Sequence, residues 1–353
     1  MRLAYAPYSL HFREPGGTSR GVLYNKPTYF LRLRDENHPG VMGYGEAAIF
    51  PGLSMENPES YELKLIETLA NVALGKSTDL SRYPSIQFGL EQAILDLSNG
   101  GKGIYFPSSF TEGKSHLTIN GLVWMGRLDE MLCRIDEKIE QGFRCIKLKI
   151  GAIRFEEELL MIKGIRERFS SESLQLRVDA NGGFDMDHII PVLHQLARYE
   201  VHSIEQPIKA GAPDLMAFLC SISPVPIALD EELIGVTDSN TKRSLLEEIR
   251  PRYIILKPAL IGGFSGAMEW IELARAFGIG WWITSSLESN IGLSALAQWT
   301  ATLGVEMPQG LGTGNLFTNN FPSALKLEGE SLYFNPSALP LEQSMLENLP
   351  WIE

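Results

Sequence analysis

The sequence is poor in cysteine and in positive charge, and it lacks a long apolar run. Its three cysteines, Cys133, Cys145 and Cys220, are widely spaced in apolar surroundings, and they fit neither a zinc site nor a disulfide framework. We expect reduced thiols in a cytoplasmic protein. Lys and Arg number 31 against 43 Asp and Glu, a formal charge of -12, which disfavours nucleic acid or an anionic membrane as partner.

The apolar runs are too short for a membrane protein. None approaches the roughly 20 residues of a transmembrane helix, and residues 1–13 are too weakly apolar for a secretory signal. Apolar residues make up 44% of the 353-residue chain and charged residues 21%, as in ordinary globular proteins. Such a chain can form one large domain with a smaller companion domain. Its composition is compatible with a monomer and with a homo-oligomer.

Residues 1–112 have the pattern of a separate α+β module, in which strands precede helices without alternation. The predicted strands are 3–5, 29–33 and 41–46, and the predicted helices are 60–74 and 86–97. Two glycine-containing loops contain the candidate substrate-binding residues Arg20 and Leu53. These loops are either lids over a site or ordinary surface turns. We expect the proline-rich C-terminal residues 320–353 to return to this module.

A linker rich in Pro, Ser and Gly at 106–115 precedes a different pattern, in which short apolar runs alternate with amphipathic helices. The predicted strands are 116–120, 145–150, 174–179, 201–205, 226–230, 253–257, 279–285 and, less regular, 309–312. Eight parallel strands with helices between them predict a TIM-type barrel over 113–319. No good closing helix follows the eighth strand.

Charged residues end five successive strands of this predicted barrel, where barrel enzymes place their chemistry. From the second strand to the sixth they are Lys147 and Lys149, Asp179, Glu205, Asp230, and Lys257. Three neighbouring carboxylates repel one another unless a divalent cation neutralises them, and oxygen ligands favour Mg²⁺. Because strands two and six lie opposite each other in such a barrel, Lys149 and Lys257 are expected to face each other across the metal.

Simpler explanations exist for each of these charges. A lone carboxylate at a strand end usually caps a turn, and a strand with two lysines on one face can be a solvated edge. A sealed internal ion-pair network would require apolar neighbours. Polar, turn-like segments follow each residue instead, such as 180–183 and 231–232, which favours an open site.

The set of residues resembles the enolase superfamily, and within it the muconate-lactonizing-enzyme-like subgroup. The matching motifs are Lys147-Leu148-Lys149, Asp179-Ala180-Asn181, Glu205-Gln206-Pro207, Asp230-Glu231 and Lys257-Pro258. The resemblance implies a (β/α)7β barrel with an N-terminal α+β capping domain and a small-molecule carboxylate substrate. It further implies Mg²⁺, with Mn²⁺ as an alternative, on Asp179, Glu205 and Asp230. Lys149 and Lys257 are then acid/base residues, and Lys147 gives electrostatic support.

Two later segments look like the o-succinylbenzoate synthases of menaquinone biosynthesis, which are carbon-oxygen lyases. They are 285–292 and 310–314, with Ser285, Ser286, Gly312 and Thr313 as candidate substrate-binding residues. This resemblance implies Mg²⁺-dependent syn-dehydration of 2-succinyl-6-hydroxy-2,4-cyclohexadiene-1-carboxylate through an enediolate. N-acylamino acid racemases and dipeptide epimerases share the lysines and stay open as alternatives. The epimerases typically carry Asp-x-Asp at the eighth strand, whereas 312–314 here contains no carboxylate.

The expected chemistry is proton abstraction α to a carboxylate. Lys149 must be neutral to act as the base, and repulsion from Lys147 and the metal favours that form. In a synthase the same lysine returns the proton to the leaving hydroxyl while Lys257 stays charged; in a racemase Lys257 is the second acid/base. A Schiff-base aldolase would use Lys149 or Lys257 as its nucleophile, and the three carboxylates would then have no role in the reaction. A non-catalytic barrel that binds a metal or another ligand is a third class of function.

Overall fold

An antiparallel sheet of three strands opens the chain. In this computed structural model, residues 1–18, 21–38, 40–124, 127–151 and 154–353 are described. The sheet has the order β1 (Arg2–Thr18), β2 (Gly21–Arg34) and β3 (Met42–Ala47). All three strands predicted in this part of the chain lie in it.

The first hairpin is longer than the sequence suggests. Residues 14–18, expected in a glycine-containing loop, instead extend β1, and residues 16–18 pair with β2 after a register shift between His11 and Gly16. The pairing continues because glycine fits an irregular ladder at low steric cost. Arg20 lies outside the described residues.

Two helices follow the sheet, close to the predicted bounds. They are α1 (Pro58–Ala73) and α2 (Pro84–Ser98). Each begins with proline, which is pre-organised for a first helical turn, and the Asn57 side chain accepts a hydrogen bond from Glu59 N at the start of α1. Helix α2 packs tightly on β3, because Gly45 and Gly89 let the two backbones approach: a Cβ on Gly45 would lie 2.0 Å from Gly89 O.

Seven parallel strands form the central sheet, and they are neighbours in chain order. They are β5 (Gly121–Val123), β6 (Cys145–Lys149), β7 (Gln175–Asp179), β8 (Ser203–Glu205), β9 (Ile227–Leu229), β10 (Tyr253–Leu256) and β11 (Gly280–Ile283). The connecting helices are α3 (Leu128–Glu140), α4 (Phe155–Arg168), α5 (Met186–Arg198), α6 (Pro213–Ile222), α7 (Ser239–Ile249), α8 (Pro258–Ile261), α9 (Gly263–Phe277) and, after β11, α10 (Asn290–Ala301). The fold is therefore α/β, as predicted.

Residues 309–310 join the two ends of this sheet. Gln309 bridges Ile119 and Gly310 bridges Thr284, both in parallel orientation. Gln309 N donates to Thr118 O at 2.9 Å and Gly310 N donates to Ile283 O at 2.8 Å. The predicted eighth strand thus pairs through one residue on each side, which is too short for a regular strand.

The predicted first barrel strand, 116–120, lies outside the parallel sheet. Residues 116–118 form β4 (His116–Thr118), which pairs with the hairpin β12 (Leu325–Glu328) and β13 (Ser331–Phe334). The parallel strand β5 begins only at Gly121. Leu117 pairs with Leu332 of the C-terminal hairpin and Ile119 bridges Gln309, so this apolar run connects the hairpin to the residues that precede β5.

The C-terminal segment contacts both parts of the chain. After β13 comes α11 (Leu339–Glu347), and Ile352 then pairs with Tyr5 of β1. Between α2 and α9, the Phe88 and Phe264 rings pack edge to face at 5.0 Å. Apolar contacts therefore join the N-terminal sheet and helices to the parallel sheet.

The cysteines partly match expectation. All three are free thiols, but Cys133 is exposed on α3 rather than embedded, since it lies on the solvent side of that helix. No helix in the described part of the chain has the length and apolarity needed to cross a membrane.

Candidate active site

The strand register places the predicted charged residues at one height. Lys149 pairs with Asp179, and Asp179 pairs with Glu205, across three adjacent parallel strands. Asp230 and Lys257 directly follow β9 and β10. Because parallel strands end at the same edge of a sheet, these groups converge at the C-terminal edge, as predicted.

Lysines and carboxylates alternate within this cluster. Lys147 Nζ lies 2.6 Å from Glu205 Oε2 and 2.8 Å from Asp179 Oδ2. Lys149 Nζ lies 2.8 Å from the same Asp179 oxygen, and Lys257 Nζ donates to Asp230 Oδ2. All three carboxylates are buried, with Asp179 fully excluded from solvent.

The buried charges shift one another's protonation. Burial alone would lower the pKa of Lys147, but attraction to Asp179, Glu205 and Asp230 outweighs it and raises that pKa. The same balance, led by attraction to Asp230, raises the pKa of Lys257. Burial opposes ionisation of Asp179, yet Lys147 and Lys149 hold its pKa well below the usual range. Lys147 and Lys257 are therefore cationic in this arrangement.

The carboxylate cluster has the donor chemistry of a hard-cation site. Burial and the neighbouring Asp179 charge raise the pKa of Glu205, so its ionised form needs a nearby cation. Its Oε1 atom is buried without a hydrogen-bond partner in the described part of the chain. Three carboxylates that can each supply an oxygen ligand, with Glu205 Oε1 free to accept, fit Mg²⁺.

The same carboxylates do not yet surround a single point. Among the described residues, no three His, Cys, Asp or Glu side chains already converge as a metal-binding group. Ammonium groups lie among the carboxylates instead. The donor set fits a divalent cation, and Lys147 and Lys257 supply positive charge beside it in this structure.

A cavity opens above the charged cluster. All three lysines line it, together with five of the predicted substrate-binding residues: Leu53, Ser285, Ser286, Gly312 and Thr313. The structure thus brings these candidates together around one space. Arg20, the remaining candidate, is not among the described residues.

Several cavity residues were missed by sequence reasoning. Asn181 belongs to the quoted Asp-Ala-Asn motif, yet its side chain was not singled out; its Oδ1 accepts from Lys149 Nζ at 2.5 Å and its Nδ2 donates to Glu231 at 3.0 Å. Its place after a strand-end carboxylate was the available signal. The other missed residues include Phe50, Asn120, Leu122 and Trp124, which carry no comparable motif.

The backbone is strained beside two of the carboxylates. Asn181 has φ 45° and Gln206 has φ 40°, left-handed conformations that persist only when their surroundings fix them. Gln206 Oε1 accepts from Asp230 N at 3.1 Å and from Glu232 N at 3.2 Å. Gln206 therefore ties the end of β8 to the residue that follows β9.

Hydroxyl groups after β11 and after the predicted eighth strand form a connected wall of the same cavity. Ser285 Oγ and Ser286 Oγ donate to the buried Glu288 carboxylate at 2.5 and 2.6 Å. Thr313 Oγ1 in turn donates to Ser285 Oγ at 2.8 Å. Glu288 thereby fixes the orientation of both serine hydroxyls at the edge of the cavity.

Comparison with known proteins places this arrangement in a family. The family described as enolase C-terminal domain-like matches residues 130–329. The o-succinylbenzoate synthase of Desulfotalea psychrophila is 46% identical over 93% of this chain and 98% of its own length. The L-amino acid-D/L-Glu epimerase of Francisella philomiragia is 25% identical over 78% of this chain and 83% of its own.

A solved structure agrees with the sequence comparison. The crystal structure of MenC from Desulfotalea psychrophila LSv54 has a TM-score of 0.82 and 41% identity, covering 94% of this chain and 99% of that one. The similarity therefore extends over the N-terminal sheet as well as the parallel sheet.

Proposed function

Because this chain belongs to the enolase superfamily, we propose that it is an o-succinylbenzoate synthase, a carbon-oxygen lyase of menaquinone biosynthesis. The reaction is syn-dehydration of 2-succinyl-6-hydroxy-2,4-cyclohexadiene-1-carboxylate. The observation that carries this proposal is the single cavity lined by Lys149, Lys257, Ser285 and Thr313. No carboxylate stands at 312–314 to hold the ammonium group of a dipeptide.

The architecture of the proposed enzyme follows from its sheet and its bridges. Seven parallel strands, joined end to end through 309–310, support a (β/α)7β TIM-type barrel over residues 113–319. Residues 1–112, with 320–353, form its α+β capping domain in this proposal. The partner is a small-molecule carboxylate and the location is the cytoplasm.

Three buried carboxylates are the proposed metal ligands. Asp179, Glu205 and Asp230 would hold Mg²⁺, with Mn²⁺ as an alternative, and the free Oε1 of Glu205 supports this assignment. When bound, the ion supplies Lewis-acid stabilisation of negative charge on the substrate carboxylate. A lysine base beside such an ion is the general arrangement for proton abstraction in this superfamily.

Lys149 is the proposed base. Its Nζ is at the cavity wall, where Asn181 Oδ1 and Asp179 Oδ2 orient it. Neutral Lys149 takes the proton from the carbon that bears the carboxylate, leaving an enediolate. The same lysine then gives the proton to the departing ring hydroxyl. The C–H and C–O bonds break, a C=C bond forms, and water leaves with the aromatic product.

The other two lysines stay charged in this scheme. Their pKa values are raised by the neighbouring carboxylates after burial is overcome. Lys257 steadies the enediolate from across the cavity, and Lys147 gives electrostatic support through its ion pairs with Asp179 and Glu205. A fixed charge aimed at a developing anion needs no reorganisation during the reaction.

The proposal is tested by assaying the purified chain with Mg²⁺ on the cyclohexadiene substrate beside a panel of N-succinyl amino acids. Formation of the aromatic product, lost on EDTA treatment and restored by Mg²⁺, supports it. The Lys149→Ala variant serves as the background control. Absence of aromatic product from the wild-type chain in Mg²⁺ refutes the synthase assignment.

N-acylamino acid racemisation is the second candidate, because Lys257 lines the same cavity as Lys149. Two lysines on opposite sides allow removal and return of a proton on opposite faces of one carbon. Incorporation of solvent deuterium into N-succinyl amino acids, stopped by either Lys149→Ala or Lys257→Ala, would establish that activity.

A further inference from the structure

Glu46, at the end of the N-terminal sheet, reaches across to helix α10. Its carboxylate is fully buried and accepts from Ser289 Oγ at 2.6 Å, Ser289 N at 3.0 Å and Gly292 N at 3.0 Å. Thr28 Oγ1 donates to the same carboxylate at 2.9 Å. A carboxylate of one module therefore caps the first turn of a helix in the other, where the helix dipole favours negative charge.

The capped turn directly follows the hydroxyl wall of the cavity. Residues 285–287 line the cavity, Glu288 orients both serines, and Ser289 contacts Glu46. Leu287 has φ 64°, a left-handed conformation that a leucine keeps only when its surroundings fix it. Both ends of this short loop must therefore be held.

A buried lysine completes the arrangement. Lys26 is 2% exposed, and its Nζ makes no hydrogen bond among the residues that the structure describes. Burial lowers its pKa, while attraction to Glu46, Glu288 and Glu56 opposes that change. Lys26 therefore interacts electrostatically both with the carboxylate that caps α10 and with the one that orients the serines.

We propose that Glu46 is a positioning residue for the synthase reaction, acting through the first turn of α10 and Glu288 to hold Ser285 and Ser286 against the substrate. Glu46 itself does not line the cavity. The proposal rests on the proposed function for its kinetic part. Because the serines bind substrate and transition state alike, their displacement weakens binding rather than proton transfer.

The chain offers a matched control for this contact. Glu91 on α2 caps the neighbouring helix α9, accepting from Phe264 N and Ser265 Oγ, both at 2.5 Å. It joins the same two parts of the chain but does not touch the 285–289 loop. Glu91→Gln therefore reproduces the loss of a charged cap without the loss of the serine connection.

The test compares Glu46→Gln with Glu91→Gln by steady-state kinetics and thermal unfolding. We expect both to lower Tm, but only Glu46→Gln to raise KM, by about ten-fold or more with kcat within about two-fold. Glu91→Gln should keep both constants within about two-fold of the wild type. Equal KM values in the two variants, or a fall in kcat alone for Glu46→Gln, overturn the proposal.

Amide hydrogen exchange supplies a measurement that does not depend on turnover. In Glu46→Gln, exchange should accelerate at Ser289 and Gly292 and also at Ser286 and Leu287. Acceleration confined to Ser289 and Gly292 overturns the link to the serines. A wild-type chain without synthase activity refutes the proposed function, while these exchange rates still decide the role of Glu46.

A milder variant covers the case in which Glu46→Gln does not fold. Ser289→Ala removes one bond to Glu46 and retains the backbone bonds from Ser289 and Gly292. A raised KM with unchanged kcat in Ser289→Ala supports the positioning role, and an unchanged KM overturns it.

Discussion

Lys149 and Asp179 are partners in the parallel ladder, and their Nζ and Oδ2 atoms are 2.8 Å apart. The same Asp179 oxygen also lies 2.8 Å from Lys147 Nζ. One carboxylate oxygen therefore serves two ammonium groups. If Asp179 is a metal ligand, a bound cation competes with the proposed base for that oxygen, which links metal binding to the release of Lys149.

Lys149→Ala should separate these two roles. We expect kcat for dehydration to fall by about 10³-fold or more, because the general base is gone. Mg²⁺ affinity should be retained, since a competing ammonium is removed while the three carboxylates remain. Product absorbance measures turnover and calorimetry measures the ion. The exposed Lys163→Ala is the control; substantial residual turnover in Lys149→Ala would exclude Lys149 as the base.

Glu205→Gln should weaken the cation site itself. The substitution preserves size but removes the charge and replaces one acceptor oxygen by a donor, so we expect Mg²⁺ affinity to fall by about ten-fold or more. Calorimetric titration measures the change, with the exposed Glu167→Gln as control. Unchanged affinity in Glu205→Gln, or turnover that survives full chelation by EDTA, contradicts the metal assignment.

Asn181 should control when Lys149 can act. Asn181→Asp places a carboxylate where an amide oxygen now lies 2.5 Å from Lys149 Nζ, and a negative charge favours the ammonium form. We expect the rising limb of the pH–rate profile to move to higher pH. Asn181→Ala should lower kcat without that displacement. Coincident pH–rate profiles for the wild type and Asn181→Asp would show that Asn181 does not act on the base.

The charged site was predictable from the sequence, and its supports were not. Strand period and βα spacing placed Lys149, Asp179 and Glu205 at one height because each lies at a strand end, a position that local pattern encodes. Glu46 lies far from Ser289 in the chain, so their contact depends on how the two modules pack. Similarly, the run at 116–120 looks like the first barrel strand, but residues 116–118 pair with the distant C-terminal hairpin instead.

Asp96 should make stability depend on pH. Burial raises its pKa from 3.8 to about 6, although backbone amides of Tyr44 and Gly103 donate to it. Between these values Asp96 binds a proton in the folded chain and not in the unfolded chain, so its contribution to stability falls as pH rises from about 4 to 6, by roughly 3 kcal/mol.

Asp96→Asn should remove that slope, although the variant is less stable because one amide loses its acceptor. Chemical unfolding at several pH values from about 4 to 7 gives both curves. The free-energy difference between wild type and variant should be largest at the acid end. Parallel curves would show that Asp96 titrates alike in the folded and unfolded chains.

Two glycine-to-alanine substitutions should have opposite effects on stability. At Gly45 a Cβ would lie 2.0 Å from Gly89 O and 2.9 Å from Ala93 N, so β3 and α2 must separate, at a cost of about 1–3 kcal/mol or more. At Gly164, inside α4, a Cβ meets no atom within 4 Å, and the added helix propensity should stabilise by about 0.5–1 kcal/mol.

Because Gly45 precedes Glu46, a shift of β3 should also raise KM in Gly45→Ala, whereas Gly164→Ala should leave KM unchanged. Denaturant unfolding and steady-state kinetics on the two variants measure both effects, and a Gly45→Ala variant as stable as the wild type would show that β3 and α2 are less closely packed than the structure has them.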